Sequence, residues 1–278
     1  MKTLVFNMLP YKLVIVGAVR DVSKYADAVF SNIDNISSLF EKTQIVIVES
    51  NSSDDTVQRY KSEEAKRSNM DFVSLGHDPD IQRTNRIANA RNKYLDIIRE
   101  KYSDYDYILV MDMDDKGSYP IFEDDVLSNF HCDVDWNMIC ANQPDMYYDL
   151  WALRHSTLMP YDCWHKVWGR PHWMSYEQAV HMFVNSKYTH IDETVPPFEV
   201  ESAFGGAAFI KMKALHQFIR HSGTVNGKPM CEWVPFCKSI GKVFINPRFV
   251  NLRSANPIVE YKVVTVRQSG EIEVLFMG

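Results

Sequence analysis

Three carboxylates close the segment Tyr107-Ile-Leu-Val-Met-Asp-Met-Asp-Asp115, which is otherwise an apolar run of strand length. A strand covered on both faces reads as a continuous apolar run. In open α/β sheets, ligands bind just beyond the carboxyl ends of the strands. Asp112 and Asp114, two residues apart, can both reach one hard cation there. Oxygen ligands suit Mg²⁺ or Mn²⁺, ions that commonly also engage substrate phosphates. The competing reading is an acidic loop start, because Asp-x-Asp alone is a weak motif.

Other candidates stand at comparable places. Glu49-Ser-Asn51 follows the apolar run Gln44–Val48, where nucleotide-binding sheets present a carboxylate to a base or ribose. Helix capping is the alternative use of that polar loop. Gly17-Ala-Val-Arg20 follows the first run and puts Arg20 near the same edge, either to pair with a diphosphate or as a solvated loop charge. Arg86 and Arg91 flank Ile87–Ala90; five apart on a helix they do not share one stripe, so one faces phosphates and the other is structural, with Asn92 a further candidate. Gly205-Gly206, after Phe204, allows close backbone approach to a sugar, or simply forms a tight turn. Glu199 and Glu201 lie just upstream. Glu232 opens an apolar helix-like stretch, whose positive end favours its charge, as a general base, an orienting group or a cap.

The elements needed to position these groups are legible in the first half. Lys12–Ala18, Gln44–Val48, Asp71–Leu75 and Tyr107–Met111 read as strands. Lys24–Phe40 and the stretch carrying Ile87, Arg91, Tyr94, Leu95 and Ile98 have helical spacing. This alternation implies a mainly parallel α/β sheet with helices on both faces. Trp151–Val195 is rich in Trp, His and Tyr, broken by prolines, and reads as an insertion over the sheet edge. Beyond it, Ala207–Lys211 reads as a strand, Lys213–His221 as a helix, and Val263–Val274 as a hairpin turning at Ser269-Gly270.

Composition narrows the function classes. With 46% hydrophobic residues, 278 residues can bury a large core. A net charge of −6 and no long basic run argue against a nucleic-acid partner. Five cysteines without a CxxC pair favour neither a disulfide framework nor a zinc knuckle, and nine scattered histidines include no HExxH. No run approaches the roughly 18 apolar residues of a membrane span, and the first ten residues hold too short an apolar core for a signal peptide. The expectation is a soluble cytoplasmic protein; a trimmed lumenal domain would read the same. Neither GxGxxG nor a P-loop is present, which argues against dehydrogenases and ATPases.

Taken in order, Glu49–Thr56, Arg86–Asn92, the acidic strand end, Tyr148-Asp-Leu-Trp-Ala-Leu-Arg154, Ser202–Gly206 and Cys231-Glu232 resemble GT-A glycosyltransferases, with the closest likeness to the fungal capsule-associated α-mannosyltransferases and their microbial and viral relatives. The likeness spans about Leu13 to Val250. It implies a GT-A, Rossmann-like domain over 1–278: a nucleotide-binding half, 1–115, and an acceptor-binding half, 116–278, carrying the insertion at about 151–195. It also implies a UDP- or GDP-sugar donor, Mn²⁺ or Mg²⁺, and a glycan or glycoconjugate acceptor. By position, Ala18, Arg20, Glu49, Asn51, Arg86, Arg91, Asp112 and Met113 would meet the donor. Asp112 and Asp114 would hold the metal. Trp151, Arg154, Phe204, Gly205 and Gly206 would form the sugar-binding loops, and Glu232 with Glu201 the catalytic acids. Two departures matter. Capsule enzymes carry an Asn-Asp-Val type sequence where this chain has Asp-Met-Asp-Asp. The late histidine that many relatives place on the metal is missing, since His221, the last, precedes Glu232. Retention would need no base, whereas a Glu232 base implies inversion. A sugar-phosphate nucleotidyltransferase and a non-catalytic carbohydrate-binding module are the alternatives.

Overall fold

A computed structural model describes residues 8–80 and 82–252, and the backbone of Lys262–Val266 and Ile272–Phe276. In chain order the elements are β1 (Leu9–Val19), α1 (Ala26–Ser37), β2 (Phe40–Glu49), α2 (Thr56–Glu64), β3 (Met70–Ser74), α3 (Arg83–Lys101), β4 (Tyr107–Met111), α4 (Glu123–Leu127) and β5 (Met138–Asn142). There follow α5 (Cys163–Trp168), α6 (Tyr176–Phe183), β6 (His190–Ile191), β7 (Phe198–Val200), β8 (Ala207–Lys211), β9 (Thr224–Val225), β10 (Lys228–Pro229), α7 (Trp233–Ile240), β11 (Val243–Val250), β12 (Lys262–Val266) and β13 (Ile272–Phe276).

The main sheet has the order β3-β2-β1-β4-β8-β5-β11-β7. Its centre explains the continuous apolar runs. Val14 and Val16 of β1 face the side covered by Tyr94, Leu95 and Ile98 of α3. Leu13 and Ile15 face the opposite side, with Val29, Ile33 and Ile36 of α1 and Tyr60 of α2. Both faces are dry, so alternate residues need not be polar.

The parallel expectation holds for β3, β2, β1 and β4, but β8 runs antiparallel to both β4 and β5, and β7 antiparallel to β11. The reversal of β8 has a structural purpose. Parallel strands present their carboxyl ends at the functional edge, and a reversed strand presents its beginning there. Met111 pairs with Ala207, and the Asp112 amide donates to the Gly206 carbonyl at 2.8 Å. The Gly205-Gly206 turn is thereby seated against the acidic end of β4.

Two sequence assignments change. Helix α1 stops at Ser37, and Phe40 opens β2 as a core residue instead of ending the helix. Only a single 3₁₀ turn, Met212–Ala214, forms in the stretch read as a helix over Lys213–His221. The rest is a loop whose carbonyls are met from α3: Arg99 donates to those of His216 and Ile219 at 3.0 and 2.7 Å. The strands of the final hairpin pair as expected, Lys262 with Phe276 and Val266 with Ile272. The turn at Ser269-Gly270 lies outside the described residues.

The aromatic-rich insertion is anchored, not floating. Leu153, Leu158, Met159, Val167, Ala179 and Val184 join the core on the α3 side of the sheet. β6 pairs with β12, tying the insertion to the last hairpin. Arg154, expected at the sugar, is instead nearly buried and donates to Asp162 at 2.6 Å, with the pair only 12% and 8% exposed. Removing one member of such a pair strands its partner's charge. Arg154→Ala should therefore lower the unfolding free energy by about 3 kcal/mol, read from urea denaturation followed by circular dichroism.

Candidate functional site

A cleft of about 480 Å³ opens at the carboxyl edge of β1 and β4. One wall is basic: Arg20 after β1, with Arg83 and Arg86 from the first turn of α3. The floor is acidic: Asp112 and Asp114 after β4, Asp149 after β5, and Glu232 at the start of α7. Trp151, Phe204, Tyr148 and Trp233 supply flat surfaces.

Arg91 joins these groups. Its guanidinium carbon lies 5.0 Å from the Phe204 ring centre and 4.7 Å from that of Trp233, two rings stacked 4.3 Å apart. Nε donates to Glu232 Oε1 at 2.9 Å, Nη1 to the Tyr94 hydroxyl at 3.3 Å, and Nη2 lies 3.6 Å from Asp112 Oδ1. Burial opposes the charge, but Tyr94, Glu232 and Asp112 outweigh it, so the Arg91 pKa stands raised. Sequence spacing assigned only one of Arg86 and Arg91 to the cleft, whereas both line it. Long side chains overcome their angular separation, and Arg86 also donates to the Asp80 carbonyl at 2.6 Å.

The carboxylates are in excess. Burial first, then repulsion from Asp114, pushes Asp112 up to about 8 despite Arg91, although 27% of its side chain remains open to the cleft. Burial also raises Asp114, and lifts Asp149 to about 6 against the Gly205 amide that donates to it at 3.1 Å. Such a deficit of positive charge is what a bound divalent ion relieves. Among the described residues no group of three or more His, Cys, Asp or Glu is arranged around a metal. Asp112 and Asp114 therefore fit an ion whose remaining positions are filled by a ligand's phosphates and water. His221 is no substitute ligand: its ring is buried, stacked 4.3 Å from Phe236.

Gly205 and Gly206 carry the tight turn, with φ of 67° and 84°. A Cβ on Gly205 would sit 2.4 Å from the Ala141 carbonyl oxygen, and one on Gly206 2.8 Å from the Tyr148 hydroxyl. The turn thus packs Phe204 beside Arg91 and keeps open the space above Asp112. Ala18, Asn51 and Met113 also line the cleft. Asn51 accepts from the Asp78 amide at 2.7 Å and so joins the loop after β2 to that after β3. Met113 fills the space left by Gly17, whose missing side chain serves packing and not a phosphate loop.

Besides Arg154, two expected residues fall elsewhere. Glu49 stands at the right edge but is 1% exposed and outside the cleft lining; its carboxylate accepts from the Ser52 amide at 2.7 Å and from the Ser74 hydroxyl, so the loop consumes it. Glu201 is exposed and also outside the lining; its amide donates to the Arg154 carbonyl at 2.9 Å, beside the Arg154–Ser202 bridge. Sequence reading gave no role to Arg83, or to Tyr148 and Asp149, although the latter two open the motif Tyr148–Arg154. Asp149 was findable, since Met138-Ile-Cys-Ala-Asn142 repeats the signature of β4, an apolar run ending in polar residues.

No family model matches the chain, and no curated protein matches it. Among solved structures, the mannosyltransferase PcManGT from Pyrobaculum calidifontis, in complex with GDP-Man and Mn²⁺, superposes with a TM-score of 0.50 at 12% identity, covering 90% of this chain. The fold is the GT-A fold. The chain spans 58% of that enzyme's length. More distant matches are Staphylococcus aureus TarS in complex with UDP-GlcNAc (TM-score 0.45, 10% identity, 90% of this chain and 60% of that one) and glucosyl-3-phosphoglycerate synthase from Mycobacterium tuberculosis with Mn²⁺, UDP and phosphoglyceric acid (0.42, 9%, 89% and 72%). No helix among the described residues is long and apolar enough to cross a membrane.

On this GT-A scaffold, the raised Asp112 sets a pH dependence. A carboxyl whose pKa is higher in the fold than in the unfolded chain stabilises the fold when protonated. Its contribution is complete below about pH 4 and lost as pH rises through about 8. The thermal midpoint of the metal-free protein should thus fall between about pH 6 and pH 8.5, and Asp112→Asn should flatten that fall; differential scanning calorimetry reads both.

Proposed function

We propose that the protein transfers a glycosyl group from a nucleoside-diphosphate sugar to a hydroxyl acceptor, with Mn²⁺ or Mg²⁺ held by Asp112 and Asp114. The observation that carries the reading is the meeting of a basic wall and an acidic floor in one cleft at the GT-A sheet edge. A diphosphate bearing a divalent ion matches that pattern of charge. A shallow depression continues the cleft past Arg20, Asn51 and Arg86 to His77, Asp78 and Pro79, and would take the nucleoside. Similarity to a mannosyltransferase solved with GDP-Man and Mn²⁺ supports a nucleoside-diphosphate-sugar donor.

In the reaction the bond between the anomeric carbon and the phosphate oxygen breaks, and one to the acceptor oxygen forms. When bound, the ion supplies Lewis acidity at the leaving diphosphate. Arg20, Arg83 and Arg86 orient that diphosphate and stabilise the charge it gains. Glu232 takes the proton of the attacking hydroxyl. Arg91 donates to Oε1 and the Cys231 thiol donates a long, weak bond to Oε2 at 3.9 Å, so Oε2 keeps a lone pair for a hydroxyl. Asp149 and Tyr148, beside the Gly205-Gly206 turn, hold sugar hydroxyls. A base in this position implies inversion at the anomeric carbon. Trp151 and Phe204 cover the acceptor side and exclude water.

Two measurements test the reading. UDP or GDP should raise the thermal midpoint only with Mn²⁺ present, and Asp114→Ala should abolish that rise with the fold intact. Glu232→Gln should retain nucleotide binding and lose transfer by about a hundredfold or more in kcat, followed as nucleoside diphosphate release. Full turnover in Asp114→Ala would overturn the assignment.

A further inference from the structure

Beyond the cleft, the insertion carries a feature that the reaction leaves unused. Trp151 lines the cleft, and its ring meets Trp168 edge-on at 6.2 Å and 90°. Trp164 stacks on Trp168 at 6.4 Å and 26°, and the His165 ring stands 5.7 Å away. His165 is itself fixed, its Nε2 lying 2.6 Å from the Pro229 carbonyl oxygen in the β9–β10 hairpin. Trp168 is thus braced on three sides, yet 48% exposed. An aromatic residue left half open on a six-residue helix gains nothing for the core, where burial is what stabilises.

We propose that Trp168 is the platform of an outer acceptor subsite, which takes the second or third sugar of a saccharide chain whose terminal unit reaches Glu232. This deepens the glycosyltransferase reading, and rests on it, by naming the acceptor class as a saccharide of at least two units. Three observations carry it. The platform is continuous with the cleft through Trp151, so a chain entering the one crosses the other. The ring is held by neighbours before any ligand arrives, which lowers the entropy cost of binding. A pyranose offers a face of C–H bonds that matches the electron-rich face of an indole, while its rim hydroxyls stay in water. A lipid surface would call for freely projecting side chains. Trp173, 71% exposed, has that character, and Trp168 does not.

The test titrates the full chain, loaded with Mn²⁺ and UDP or GDP, with methyl glycosides of the common hexoses and their di- and trisaccharides, by isothermal calorimetry. The disaccharide or trisaccharide of at least one series should bind about five- to tenfold tighter than its monosaccharide. Trp168→Ala should remove that gain, Trp168→Phe should keep part of it, and Trp173→Ala should leave it intact. Nucleotide binding should be unchanged in all three variants. Equal affinity for all chain lengths, or a length effect that survives Trp168→Ala, overturns the inference. So does binding of phosphatidylcholine–phosphatidylglycerol vesicles that is lost in Trp168→Ala. Failure of the nucleotide to bind with Mn²⁺ would instead strike the glycosyltransferase reading, so the two failures are distinguishable.

Discussion

The buried guanidinium of Arg91 is the interaction on which the site depends. It is a full charge at 6% exposure, placed where α3, β4, the Gly205-Gly206 turn and α7 converge. Taking such a charge from water is costly unless its donors are satisfied and its field is answered. Here a stacked pair of aromatic rings lies within 5.0 Å of it, and two carboxylates and a phenol surround it. Tyr94 comes from α3 itself, Asp112 from the end of β4, Phe204 from the glycine turn, and Glu232 and Trp233 from the start of α7. The charge therefore specifies a relative placement of the two halves of the sheet, which apolar packing alone would leave adjustable.

The same placement makes the cleft electrically uneven. Arg91 answers Glu232 most directly and Asp112 only at 3.6 Å, while the carboxyls of Asp114 and Asp149 stand raised by burial. The negative remainder lies beside the sheet edge, and Arg20, Arg83 and Arg86 line the other wall, Arg20 paired with Asp21 at 3.2 Å. A ligand that is anionic along one side and carries a cation on the other completes both. That requirement comes from the arrangement of charge and not from any one motif.

Much of this was legible in the chain. The β1, β2 and β4 runs, the helical spacing of α3 and the acid-tipped β4 all appear where periodicity placed them, because both faces of the central sheet are dry and local pattern equals environment. The sequence failed where a contact is decided at long range. Whether Lys213–His221 coils into a helix depends on Arg99, more than a hundred residues earlier, accepting the role of capping its carbonyls. Glu49 and Arg154 have the right residue types in the right neighbourhoods, yet Ser74 and Asp162 claim them. No local pattern distinguishes a carboxylate that faces a ligand from one that faces its own loop. Asp149 escaped for the complementary reason: it stands on a loop and becomes part of the site only through the placement of β5.

The antiparallel insertion of β8 has a consequence for how such a protein tolerates change. The amide of Asp112 and the carbonyl of Gly206 are one hydrogen bond apart, so the two ends of the reaction share a single ruler set by backbone register. Trp151–Val195 enters and leaves the sheet outside that measured zone. Away from the Trp151–Trp168 face, its outer surface can consequently lengthen or be exchanged while the spacing between the two ends of the cleft stays constant.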